Sequence, residues 1–221
     1  MKKINTIKGM LFTVIATFAL TAVSNAASLN GVYLEAGASA VGVAVEGSSN
    51  DANSATTTGA VGKTATTASY GLGYMTPRSN RVGLDAGYLM TPGNAKLSHT
   101  SDSRTKTTVS LDISDMTEFY LAPMINITED ASLYLKYGWN STDLVTTGDV
   151  NKINSMDGNT VALGTVMSWG SNLYIRSEAG MTEYDTLKFT GLGGANGVPL
   201  TESVSTTPDV HYGKISIGYK F

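Results

Sequence analysis

The stretch that decides the fold is PDVHYGKISIGYKF, Pro208 to Phe221. Read back from the end, Phe221, Tyr219, Ile217 and Ile215 are apolar or aromatic, and Lys220, Gly218, Ser216 and Lys214 between them are polar or small. A period of two marks a strand with one greasy and one polar face. A soluble strand can show the same alternation, but it rarely ends a chain on an aromatic residue with no polar tail.

Seven more segments alternate in this way. They are Gly31 to about Glu46, Thr66 to Met75, Arg81 to Met90, about Thr108 to Ile127, Ser132 to Asn140, Thr160 to Trp169 and Leu173 to Thr182. In the fourth, the phase is read with Phe119 and Leu121 outward and Glu118 and Tyr120 inward. The connections alternate as well. Thr76 to Asn80, Thr128 to Ala131 and Gly170 to Asn172 are tight turns rich in Pro, Asn, Asp, Gly and Ser. The other four, about Gly47 to Ala65, Thr91 to Lys106, Ser141 to Asn159 and Asp185 to Thr207, read as long polar loops. Short turns and long loops in strict alternation predict an all-β, eight-stranded antiparallel up-and-down transmembrane barrel inserted from one side.

The faces agree with that reading. A soluble sandwich turns its apolar face inward, whereas an outer-membrane barrel turns it to lipid. Here the apolar face carries aromatics near segment ends: Tyr88 and Trp139 towards the long loops, and Tyr74, Trp169, Tyr219 and Phe221 towards the short turns. Two interfacial girdles are expected from this. The opposite face is rich in Gly, Ser and Ala, which suit a narrow lumen, and it carries charges of both signs.

Those charges are Glu35, Asp85, Glu118, Lys136, Arg176, Glu178 and Lys214. Most lie roughly four to six residues from the short-turn end, at about 3.3 Å per residue, so they share a mid-barrel belt. In strand order they form two mixed-sign groups: Asp85, Glu118 and Lys136, then Arg176, Glu178, Lys214 and Glu35. A charge in a narrow interior is costly unless paired, so a lumen charge network is expected, with Lys214 and Arg176 paired to Glu35 and Glu178.

The start of the chain predicts secretion. Lys2, Lys3 and Lys8 precede the mostly apolar run Gly9 to Val23, and Ser24-Asn25-Ala26 is a small-x-small site, so residues 1–26 read as a signal peptide and 27–221 as the barrel domain. The run is short for a membrane span of about 20 apolar residues. Removing residues 1–26 leaves 195 residues and takes the net charge from −3 to −6. Nucleic acid is not a fitting partner for so acidic a chain. The chain has no Cys, which excludes disulfides and a lipid-modified cysteine.

Taken together, these features resemble the small eight-stranded Gram-negative outer-membrane barrels of the outer-membrane protein A transmembrane-domain and opacity type. The resemblance implies residence in the cell outer membrane, among outer-membrane lipid and lipopolysaccharide. It also implies that Tyr219 and Phe221 form the signal read by the barrel-assembly machinery, and a buried acid–base network in the lumen is a feature of that family. The 221 residues read as signal peptide and barrel alone, so the cell-wall tethering of larger members, which rests on a periplasmic peptidoglycan-binding domain, is not expected to carry over.

Three function classes remain. The favoured one is a non-enzymatic envelope protein that displays four surface-exposed loops, the place where binding would lie although they carry no recognisable motif; the loop Thr190 to Leu200 is apolar for an exposed segment. The second is a narrow pore, although eight strands are just filled by their own side chains. The third is a lipid A-modifying enzyme, which would need one of two histidines: His99, expected in a loop without a strand to fix it, or His211, near the outer end of the last strand. No catalytic residue, cofactor site or metal site is assigned. The loop acids Asp51, Asp102, Asp149 and Asp157 lack the spacing of a calcium loop, and the Gly-Leu-Gly-Gly at Gly191 does not sit between a strand and a helix.

Overall fold

The structure is a computed structural model that describes residues 30–50, 56–76, 81–102, 107–148, 151–190 and 203–221. The expected signal peptide, Asp51, Asp149, turn residues 77–80 and loop residues 191–200 lie outside the described residues. No helix occurs among those described; every element is a strand. The strands are β1 (Gly31–Asn50), β2 (Thr56–Met75), β3 (Val82–Asp102), β4 (Thr107–Asn126), β5 (Ala131–Gly148), β6 (Ser155–Trp169), β7 (Leu173–Tyr184), β8 (Leu187–Thr190) and β9 (Ser203–Lys220).

Each strand pairs antiparallel with its neighbour, and β9 also pairs with β1, which closes the wall. Closure pairs the ladder groups of the lower wall within the wall itself, as a lipid environment demands. The registers give the tilt. The path Tyr88, Phe119, Trp139, Asn159, Glu183, Asp209, Ala44, Gly62 crosses one strand at each step. It returns to β2 ten residues from Leu72, the partner of Tyr88. One circuit therefore climbs ten residues, the stagger of strongly tilted strands.

β8 is the continuation of β7 rather than an extra wall element. The β7–β9 ladder stops at Glu183 opposite Asp209, and β8 resumes with Leu187 opposite Thr206. Pro208 of β9 lies in the gap and has no N–H to donate, which accounts for the break. The barrel is thus eight-stranded with one interrupted arm.

The four long loops expected from the sequence are corrected by the structure. Most of their residues extend the flanking strands: β1 runs four residues past Glu46, β2 starts ten residues before Thr66, and β5 continues to Gly148. His99, expected in a loop, lies in β3 opposite Ser110. The reason is partly local: the extensions of β2 and β5 are rich in Thr, which favours extended backbone.

One seam of the wall is short. β2 and β3 pair from Tyr70–Met90 to Met75–Asp85 and no further, although β1–β2 continues to Asn50–Thr56 and β3–β4 to Asp102–Thr107. Pro92 cannot donate towards β2, Gly93 adopts φ 133°, and the β3–β4 register shifts between Thr91 and Asn94. These three features turn β3 away from its neighbour.

Candidate functional site: the lumen network

Alternation along each strand sends one set of side chains outward and the other into the lumen. Val32, Leu34, Leu72, Leu84, Leu121, Leu135, Leu163 and Ile217 are exposed on the outer wall. Glu35, Asp85, Glu118, Lys136, Arg176, Glu178 and Lys214 are all buried inside. Near the short turns, the outer wall bears Tyr74, Trp169, Tyr219 and Phe221; higher up it bears Trp139 and Tyr88. Tyr70, Phe119 and Tyr137 are exposed alongside the upper pair, with Tyr88 tilted against Phe119 at 4.8 Å and Tyr137 edge-on to Trp139 at 5.1 Å.

Arg176 stands at the centre of the lumen. Its Nη2 lies 2.6 Å from Asp85 Oδ2, its Nε 3.4 Å from Glu35 Oε2, and its Nη1 donates to the Tyr120 hydroxyl at 2.9 Å. Four tyrosine rings, Tyr33, Tyr120, Tyr134 and Tyr174, surround the guanidinium with centroids at 5.3–5.9 Å. Their π faces favour a desolvated cation. Tyr33 donates to Asp85 at 2.8 Å and shares a 2.5 Å hydrogen bond with Tyr120.

Lys136 lies 2.7 Å from both Glu118 Oε1 and Glu178 Oε1. The Tyr134 and Tyr212 hydroxyls each donate to Glu178 at 2.7 Å, and Asn140 donates to Glu118 at 3.2 Å. Lys214 joins the two halves more loosely, 3.4 Å from Glu35 and 3.8 Å from Glu178. The two separate groups expected from strand order are therefore one network. Arg176 on β7 reaches Asp85 on β3, and Lys136 on β5 reaches Glu178 on β7. Their long side chains span a lumen narrow enough that neighbours in space need not be neighbours in the wall. Of the expected pairings of Lys214 and Arg176 with Glu35 and Glu178, Arg176–Glu35, Lys214–Glu35 and Lys214–Glu178 are present, and Arg176 is held more closely still by Asp85, which strand order places in the other group.

The tyrosines, whose inward phase the sequence shows as at Tyr120, are the network members that the sequence reading does not include. Each sits directly across from a glycine: Tyr33 and Gly73, Tyr120 and Gly87, Tyr134 and Gly164, Tyr174 and Gly218, Tyr212 and Gly180. A Cβ on Gly218 or Gly73 would overlap the facing ring, so the glycines are the floor on which the rings lie. The signal in the sequence is a lumen-facing Tyr on one strand and a lumen-facing Gly on the next, readable once the register is known.

Above this network the interior changes character. Val43, Leu144, Met156, Tyr184, Leu187, Phe189 and Val210 form a second buried apolar cluster in the strand extensions. Outward positions change at the same level: Trp139 gives way to Ser141 and Asp143, Val161 to Asn159 and Asp157, Met181 to Glu183, and His211 to Asp209. That crossover marks where the wall leaves the membrane.

Residues 10–221 match the family model described as an outer membrane protein beta-barrel domain. The chain belongs to this family. Its place is the outer membrane of a Gram-negative cell. Among solved structures, the outer membrane protein OprG of Pseudomonas aeruginosa is 17% identical with a TM-score of 0.51, over 86% of this chain and 96% of that one. Neisserial surface protein A is 13% identical, TM-score 0.42, over 86% and 97%. Ail of Yersinia pestis, in complex with the heparin analogue sucrose octasulfate, is 14% identical, TM-score 0.42, over 84% and 99%. At such identities the likeness to OprG is one of fold. Among curated proteins none matches this outer-membrane barrel by sequence.

His211 faces outward at the top of the apolar belt, opposite Gly42 and Met181. Among the described residues, no group of three His, Cys, Asp or Glu side chains is placed to share a metal ion.

Proposed function

We propose that this outer-membrane barrel is a non-enzymatic envelope protein that closes its own lumen and holds surface loops outside the cell for binding. The observation that carries the reading is the connectivity of the network. Seven buried charges on β1, β3, β4, β5, β7 and β9 are tied by ion pairs no longer than 3.8 Å, and tyrosine rings fill the spaces between them. An interior filled this way at one level leaves little room for a water path. The exterior section supports the second half of the reading, because its apolar core gives the loops a rigid base. Purified protein in planar bilayers should show no steady open level. A large and stable conductance would overturn the closed-lumen reading in favour of a pore.

Delivery and assembly follow the same reading. Residues 1–26 act as a cleaved signal peptide, and Tyr219 with Phe221 is the aromatic pair presented to the barrel-assembly machinery. The two rings pack edge to face at 5.2 Å on the outer wall. Deleting Phe221 should lower the outer-membrane level and leave chain in the periplasm; normal levels would count against the assignment.

A further inference from the structure

On the outer wall, a groove of about 380 Å³ lies where β4, β5 and β6 cross the upper limit of the apolar belt. Phe119 and Trp139 form its lower part, and Ser141, Asp157, Asn159 and Asp185 its upper part. The wall holds these residues in place: Phe119 lies opposite Trp139, Trp139 opposite Asn159, and Ser141 opposite Asp157. The Ser141 hydroxyl donates to Asp157 Oδ1 at 2.8 Å, and the Asp185 backbone N–H donates to the Asp157 carbonyl at 2.9 Å. Asn159 Oδ1 accepts from the Tyr137 hydroxyl at 3.0 Å. Phe119, Trp139, Ser141, Asp157 and Asn159 therefore sit on ladder-paired backbone, and Asp185, in the break between β7 and β8, is tied to it by its N–H.

Its position and charge together select an occupant. The lower part is continuous with the lipid-facing surface of Leu121, Tyr137 and Val161, so what fills it comes from the outer leaflet. The upper part offers two carboxylates, and no Lys or Arg is among its lining residues. Carboxylates and the faces of aromatic rings both attract a cation and repel an anion. A headgroup whose only charge is a phosphate would meet repulsion here, whereas one ending in an ammonium would meet two acceptors and a ring.

We propose that this groove seats an outer-leaflet lipid whose headgroup carries a positively charged amine, with an acyl chain laid over Phe119 and Trp139 and the amine at Asp157 and Asp185. The inference rests on the membrane placement of the wall and is independent of whether the lumen conducts.

The test uses full-length protein in bilayer discs made of equal amounts of phosphatidylethanolamine and phosphatidylglycerol, with lipid retained on the released protein counted by native mass spectrometry. Phosphatidylethanolamine should be retained about tenfold over phosphatidylglycerol. The preference should fall to near parity in the Asp157→Asn, Asp185→Asn double variant, and total lipid retained should fall in Trp139→Leu. Boiled and unboiled gel mobility checks that both variants are folded barrels. Equal retention of the two lipids by the unaltered protein would overturn the proposal, and so would a preference that survives the double variant. If water-soluble phosphoethanolamine displaced the lipid at equal concentration, the acyl chain would contribute nothing and a membrane lipid would no longer be the occupant.

Discussion

The barrel has two sections that share one wall and reverse each other's chemistry. On β5 the inward residues run Tyr134, Lys136, Gly138, Asn140, Thr142, Leu144, and the outward ones Leu135, Tyr137, Trp139, Ser141, Asp143. The alternation never slips. What changes is the solvent outside, lipid below Trp139 and water above it. In the upper section burial of Leu144, Met156, Phe189 and Val210 is driven by the hydrophobic effect, as in a soluble barrel. In the lower section lipid is as apolar as any core residue, so burying apolar side chains inside gains nothing. There Met75, Ala122, Met124 and Val166 pack with the tyrosines in a first buried cluster, and the ion pairs and hydrogen bonds around Arg176 are its cohesive element.

That contrast can be broken first at its lower centre. Arg176→Met removes the cation shared by Asp85 and Glu35 and leaves two buried carboxylates short of a partner. The cost should be about 3–5 kcal/mol, read by urea unfolding from lipid vesicles. Adding Asp85→Asn should recover part of the loss, since one stranded charge then vanishes. Losses that simply add would show that the pair is not coupled. Lys214→Met should cost less, because its contacts at 3.4 and 3.8 Å are both longer than the 2.6–2.7 Å pairs that anchor Arg176 and Lys136.

The upper section should fail in a different way. Leu144→Ala opens a cavity in an apolar core and should cost about 2–5 kcal/mol, but the loss should stay local. Protease should nick the strand extensions while the boiled–unboiled mobility shift of the membrane section persists. If both sections unfold together, they form one cooperative unit and the division drawn here is wrong.

The lower section was legible in the sequence because its alternation is strong and its charges sit on the polar face. Lys136 and Glu178 could be placed inside from their strands alone. Their contact could not, because it depends on reach across the lumen rather than on strand order. The facing of Tyr174 on Gly218 was hidden for a related reason: it is a fact of register between β7 and β9. The upper section was misread as loops because its inward apolar residues are spaced among Thr, Ser and Gly, the same residues that fill real loops. Its signal was the joint crossover at Asn140–Leu144, where inward residues turn apolar just as outward ones turn polar.

The outer wall gives the sharpest test of where that crossover lies. Ile217 is exposed on the lower section. Ile217→Arg should cost about 2–4 kcal/mol if it reaches the bilayer midplane, measured by folding into vesicles. Folding unchanged by this substitution would mean that the lower wall does not face lipid.

The smallest expected effect has the opposite sign. Glu183 lies directly opposite Asp209 on the outward face, past Met181 and His211, where the wall meets water. Like charges facing each other across a ladder are destabilising by roughly 0.2–1 kcal/mol. Asp209 Oδ1 also lacks a hydrogen-bond partner among the described residues. Glu183→Lys should therefore stabilise the barrel slightly, because it replaces repulsion with an ion pair and supplies that oxygen with a donor. The gain should shrink at high salt, which screens exposed pairs. A charge introduced two strand positions lower, at Met181→Lys, should instead destabilise, since that position belongs to the apolar belt. If the two substitutions behaved alike, the boundary between the sections would not lie between Met181 and Glu183.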